Sequence, residues 1–296
     1  SQWRTDLGLL NLGPASGVVH LRLHVGTLLG QSTTIAKGEQ KILVDVVGTV
    51  FAAVGAGPLE ILTDQPLVVT SRTYNQSASG TFGQSYDGFR SDQGVAAGGA
   101  VFLPHLSENA SYRSNILIAN TGSTAARVRL ELFDGAGTKV GEPSVNGGAP
   151  IASGQRVQLN APFRAVGQSD LAAGYARLEV LEGDGVIAYA SVVDNNVASN
   201  DPTSVLMKEE VFGAEPFWLP VVAHQDGIGG TSWRTDLGLL NIHSVKSLVT
   251  LRFYGKTTLE SRVEVPPHNQ LILTDIVRKL TSHDDAGALQ VVPDVS

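Results

Sequence analysis

The chain has no cysteine among its 296 residues. Disulfides, thiolate nucleophiles and cysteine-ligated zinc or iron–sulfur centres are therefore excluded, while the compartment stays open. Charge is also sparse. Asp, Glu, Lys and Arg make up 17% of the chain, against about a quarter in an ordinary globular domain. The net charge of −7 comes without a basic stripe, so no surface is suited to neutralising phosphates on a nucleic acid or headgroups on an anionic membrane. One methionine, seven lysines and no Ala/Glu/Lys/Leu-rich stretch leave long helices without material. The most apolar run, residues 42–59, carries only Asp45 as a charge. Its counterpart 230 residues later contains Arg278, Lys279, His283, Asp284 and Asp285, which a membrane helix does not accommodate. GxSxG, HExxH, phosphate-loop and dinucleotide motifs are all missing, as is a paired acid–base constellation. The expectation is a non-enzymatic protein that needs no cofactor, binds no nucleic acid and does not insert in a membrane.

Glycine is plentiful, with 33 residues, and apolar residues reach 42%. Together with frequent Val, Thr, Ser and Asn, this is the composition of short strands joined by turns. The clearest feature is internal repetition. Residues 3–11 and 233–241 both read WRTDLGLLN. The same shift of 230 superposes Leu21-Arg22 on Leu251-Arg252, Asp45 on Asp275 and Gly57 on Gly287 without a gap. A more divergent copy lies between them: Tyr112-Arg113-Ser114-Asn115-Ile116 matches Trp3 to Leu7, Asn120 matches Asn11, and Val101 to Pro104 matches Phe217 to Pro220. The period of about 110–120 residues is domain-sized.

Within a repeat, strand signals come at short spacing. Val19, Leu21, Leu23 and Val25 alternate with His20, Arg22 and His24, giving one apolar and one wet face. Further strands are expected at Trp3–Asn11 and over residues 33–36, 40–46, 58–63 and 67–74, with Asp134-Gly135 turning a hairpin. The motifs WRTDLGLLN, SRTYN followed by GTFGQ, and FWLPVVAH give the chain a pattern that resembles Ig-like repeats of secreted bacterial surface proteins. That resemblance implies three tandem Ig-like antiparallel β-sandwich repeats over residues 1–99, 100–215 and 216–296, in an extracellular or cell-surface setting. Residues 76–99 and 195–215 are expected to connect the repeats. Phe82, Tyr86 and Phe89 favour a first connection packed on a neighbouring domain.

Counting strands, the first repeat lacks its initial Leu-Pro strand and the third lacks its final SRTYN strand. The open edges expose backbone hydrogen-bonding groups and core. Their partners are expected from adjoining chain of a longer protein, from neighbouring subunits by head-to-tail strand addition, or from each other. The function this suggests is a structural or adhesive repeat protein, a filament subunit completed by strand complementation. The alternative is a carbohydrate- or protein-binding accessory module of a larger adhesin or enzyme.

Few residues stand out as candidate sites. The repeated structural positions are Trp3, Arg4, Asp6, Asn11, Arg72, Tyr74, Trp233, Arg234, Asp236 and Asn241. Trp3, Thr5, Leu7 and Leu9 fall on one strand face and are assigned to the core. Arg4 and Asp6 fall on the other and are expected to pair across strands with Asp45 or Arg72. Trp218 shares the core-like setting of Trp3 and Trp233. Asp194, Asn196 and Asp201 lie in an oxygen-rich loop with Asn195 and Asn200. They are the only calcium candidates, although their spacing fits no standard calcium loop. His20 and His24, about 13 Å apart along a strand, are too far apart to chelate one ion.

Overall fold

The computed structural model describes residues 3–77, 80–196, 201–209 and 215–294. These form an all-β chain of antiparallel sheets with three short α-helices and three 3-10 turns. The first third contains β1 (Trp3–Asn11), β2 (Gly17–Val25), β3 (Thr27–Ile35), β4 (Gln40–Leu43), α1 (Val46–Thr49), β5 (Leu59–Thr63), β6 (Leu67–Ser77) and β7 (Gly80–Asp87). Its two sheets run β4-β1-β6-β7 and β3-β2-β5. The middle third contains β8 (Ala100–Glu108), β9 (Tyr112–Asn120), β10 (Arg127–Asp134), β11 (Lys139–Gly141), β12 (Arg156–Asn160), α2 (Pro162–Ala165), β13 (Leu171–Glu182), β14 (Val186–Asp194), β15 (Pro202–Leu206) and β16 (Lys208–Glu209). Its sheets run β11-β10-β13-β8-β16 and β12-β9-β14-β15. The last third contains β17 (Phe217–Asp226), β18 (Ser232–Arg234), β19 (Leu237–Leu240), β20 (Ser247–Tyr254), β21 (Thr258–Val265), β22 (Gln270–Leu273), α3 (Ile276–Thr281) and β23 (Asp285–Asp294). Its sheets run β18-β17-β23-β20-β21 and β19-β22. Each third has its own hydrophobic cluster between its sheets. Among the described residues no helix is long and apolar enough to cross a membrane.

Alternation drives this layering. In β2, Val19, Leu21 and Leu23 are buried while His20 and Arg22 face water. Equivalent strands share register. Leu7 pairs with Leu43, and Leu237 pairs with Leu273.

Several boundaries differ from the sequence pattern. The strand expected over 33–36 begins at Thr27, because it pairs with β2 along its whole length. The strand expected over 40–46 stops at Leu43, because Asp45 is left-handed (φ 47°) and starts α1. Ala161 and Asp275 take the same conformation before α2 and α3. Asp tolerates this region better than most residues. Asp6 Oδ1 accepts the Asp45 N–H at 2.9 Å, and Asp236 Oδ1 accepts that of Asp275 at 2.8 Å. The stretch 76–99 is not a plain connection, since β7 pairs with β6 from Thr70↔Asp87 to Ser77↔Gly80.

One side chain recurs at the end of equivalent strands. Asn11 Nδ2 donates to the carbonyls of Ala15, Ala36 and Ile35, and its Oδ1 accepts the Gly13 N–H. Asn120 Nδ2 donates to Thr124 and Ile151, and its Oδ1 accepts from Gly122. Asn241 Nδ2 donates to Val245, Val265 and Pro266, and its Oδ1 accepts from His243. All three amides are buried. Each ties the loop after its strand to the turn that leads back into the strand paired beside it. Asn120→Ala strands one N–H and two carbonyls in the interior, so urea unfolding is expected to show a loss of about 3 kcal/mol. A loss below about 1 kcal/mol would mean that the loop closes without the amide.

Candidate functional site: the open edges and the repeated junction

In the middle third, β8 covers one side of β13, and β14 covers one side of β9. The outer thirds each lack one of these partners. Nothing among the described residues pairs on the free side of β5, the counterpart of β13, or on the free side of β19, the counterpart of β9. Core positions report the difference. Val101 and Leu103 of β8 are fully buried, whereas Phe217, at the position of Val101, is 48% exposed. Ala176 and Leu178 are sealed, whereas Leu59 and Ile61 are only partly buried. Beside β19 the missing layer leaves a groove of about 810 Å³, lined by Leu237, Leu239, Val249, Val265, Val291 and Phe217 among others.

The repeated WRTDLGLLN segment is built differently at its two sites. In the first third it is one strand, paired with β6 from Trp3↔Asn75 to Asn11↔Leu67. Thr5 Oγ1 there meets Thr73 Oγ1 at 3.0 Å. In the last third it breaks into β18, which pairs with β17, and β19, which pairs with β22. Thr235 Oγ1 now accepts the Ala223 N–H of β17 at 2.9 Å. Leu7 and Leu9 are buried, but Trp3 and Trp233 are 44% and 61% exposed and are not core residues. Both lie at the end of the motif that runs beyond the packed layers. Trp218 is exposed as well, and stacks on Tyr254 at 5.4 Å.

Arg4 approaches Asp45 at 3.7 Å, and Arg234 approaches Asp275 at 3.9 Å. Asp6 does not pair with Arg72, although the two are in register. Its carboxylate accepts the Asp45 N–H and the Tyr74 hydroxyl, and Arg72 lies over the Tyr74 ring at 4.9 Å. Burial and the Asp6 charge raise the Tyr74 pKa. Where β17 is present, His224 Nδ1 also reaches Asp275 (2.7 Å), and its Nε2 reaches Asp284 (3.3 Å). Sequence reasoning missed this cluster, since His224 and Asp275 are 51 residues apart. Asp194 Oδ1 accepts the Asn196 N–H in a local turn, and the Asp194 N–H bonds the Asp201 carbonyl. Burial and then Asp194 raise the Asp201 pKa. Asn200 lies outside the described residues. Among the described residues no three His, Asp or Glu side chains are arranged to hold a metal ion. His20 bonds Ser32, while His24 and Arg22 both approach Glu60.

The thirds meet through equivalent places. Gln270, at the start of β22, is buried against the middle third. Its N–H donates to Gly135, its Nε2 to Gly174 (2.8 Å), and its Oε1 accepts the His105 N–H. Asn269 Nδ2 donates to Ala136 and Tyr175 donates to the His268 carbonyl. Burial raises the Tyr175 pKa to about 12, with Asp134 adding to the effect. Arg156, at the same position of β12, donates to the Ala56 carbonyl of the first third at 3.2 Å. His24 sits directly over Gly154, where φ is +72° and a Cβ would lie 2.3 Å from its ring. Tyr86 of β7 also packs on Tyr189 of β14, with ring centroids 4.8 Å apart.

His105 is left-handed (φ 58°) and packs on Gly238 of the last third. Burial lowers its pKa, and the Asp236 charge opposes this only in part. The unfolded state therefore binds the proton more readily. Stability from this site is complete above the unfolded value near 6.5 and falls as pH drops through the depressed folded value. Thermal melts between pH 7.5 and 5 are expected to show a decline that is smaller in His105→Asn, which tolerates the same φ. Equal declines in both proteins would remove His105 as the cause.

Comparison with models of protein families, with curated proteins and with solved structures returns no match to this chain.

Proposed function

We propose that the chain is an extracellular, non-enzymatic structural or adhesive protein of tandem Ig-like repeats, and that its outer repeats are completed by strands from neighbouring polypeptide, head to tail. The carrying observation is the pair of complementary open edges. Among the described residues, the first third has its β14-type strand, β6, and no β8-type strand pairs with β5. Among the same residues the last third has its β8-type strand, β17, and no β14-type strand pairs with β19. An unpaired edge beside exposed core is a template for strand addition. The two filled counterparts supply the expected register: Leu67, Val69 and Ser71 stand opposite Asn11, Leu9 and Leu7, which correspond to Asn241, Leu239 and Leu237. Electron microscopy of the purified protein is expected to show filaments. An excess of a peptide with the sequence of residues 67–77 is expected to shorten them by occupying the β19 edge. A monodisperse monomer at high concentration, unchanged by the peptide, would sink the reading.

A second reading, a carbohydrate-binding module, has one supporting observation. Trp218 and Tyr254 form an exposed aromatic pair, with the Tyr254 hydroxyl 3.3 Å from Gln290 and an ion pair from Arg252 of β20 to Glu260 of β21 close by. Aromatic faces beside polar groups suit sugar rings. Screening against a glycan array is expected to give hits that Trp218→Ala reduces at least tenfold. An array without hits ends this reading.

A further inference from the structure

We infer that the turn entering β4 in the first third is a docking surface for the last third of a second copy, built like the two junctions inside the chain. This inference rests on the head-to-tail reading but uses side-chain docking rather than strand exchange.

The register makes Gln40, Arg156 and Gln270 equivalent, since they pair with Leu10, Ala119 and Leu240, each followed by a buried Asn. Two of the three dock on the preceding third. Gln270 bonds the backbone of Gly135, Gly174 and His105. Arg156 bonds the backbone of Ala56. Gln40 has the same position and is exposed, as are Lys37 and Gly38 before it. Gln40 is also the same residue type as Gln270.

The receiving surface recurs too. It consists of the turn after the β10-type strand and the start of the β13-type strand. In the last third these places are residues 254–257 and 286–287. Tyr254, Lys256 and Thr257 are exposed, and Ala286 and Gly287 are partly so. Charge fits the docking. Glu39 occupies the place of Asn269, whose side chain reaches Ala136 in the middle turn. Lys256, whose Nζ donates to the Asp284 carbonyl, occupies the matching turn of the last third, so Glu39, 3.7 Å from Lys41 in its own third, meets a second base across the docked interface. An interface that joins different patches of identical copies propagates as an open chain unless its rotation closes a ring.

The absence of cysteine makes the test clean. Gln40→Cys and Lys256→Cys, each introduced singly and then mixed, are treated with a short bis-maleimide linker. Mixing is expected to give a crosslinked dimer in at least tenfold higher yield than Gln40→Cys mixed with Glu264→Cys, which places the thiol at another exposed site, outside the groove beside β19. The double variant Gln40→Cys/Lys256→Cys is expected to give a ladder of linear multiples. Comparable yields at 256 and 264 would overturn the inference. Filaments that form without the 40–256 crosslink would also overturn it, while leaving strand complementation intact. Specific crosslinks in a protein that never forms filaments would uphold the docking surface and remove the filament reading.

Discussion

Each third of the chain turns on one buried amide. Asn11, Asn120 and Asn241 satisfy the backbone groups of the loop that leaves their strand and of the turn that approaches from the other side. A loop cannot lie against a packed core with its carbonyls unpaired, because each would cost about 1–3 kcal/mol. The carboxamide has two donors and an acceptor in one plane, so it serves both segments at once. With that corner closed, the strand before it is held at the right height. The β4-type strand then pairs in register, and the residue at its start points out of the third, ready to meet the preceding one.

Neighbouring strands decide how the rest of the motif is used. The same nine residues form a continuous strand beside β6 and a broken pair of strands beside β17. Thr5 and Thr235 have the same sequence neighbours, yet one hydroxyl turns to a threonine on β6 and the other to a backbone amide on β17. Backbone propensity is identical in the two copies, so the difference must come from which flanking strand is present. The left-handed Asp45 and Asp275, by contrast, are held alike in both. Their N–H groups are captured by Asp6 and Asp236 from within the motif itself.

The junctions follow from the same economy of parts. A turn that the buried Asn holds rigid carries a residue that can bond the preceding third without ordering any new segment. Gln270 does this with its amide and side chain together, and Arg156 does it with its guanidinium. Side-by-side packing of Tyr86 on Tyr189 adds apolar area at the first junction, and burial raises the pKa of both phenols.

Strand content, the 230-residue repeat and the alternation that buries Leu7, Leu9, Val19, Leu21 and Leu23 could be read from the sequence, because period-two patterning depends only on near neighbours along the chain. That Arg4, Asp6 and Asp45 recur together could be read too, but the sequence left Asp45 and Arg72 both open as partners, and the 3.7 Å approach of Arg4 to Asp45 is seen only in the fold. The exposure of Trp3 and Trp233 could not be read. A large aromatic on the apolar face of a strand reads as core, and only the placement of the opposing layer shows that the strand outruns it. The end of β4 was equally hidden, since the left-handed Asp45 is stabilised by a carboxylate 39 residues away. The His224–Asp275–Asp284 cluster and the Gln270 junction likewise join residues far apart in the chain. By itself the sequence determined which residues can face a core and which segments are copies of one another. Only the tertiary structure decided how the repeated motif is divided between strands and which residues of neighbouring thirds meet, because hydrogen-bond pairing across a sheet is set by whichever strand lies beside it.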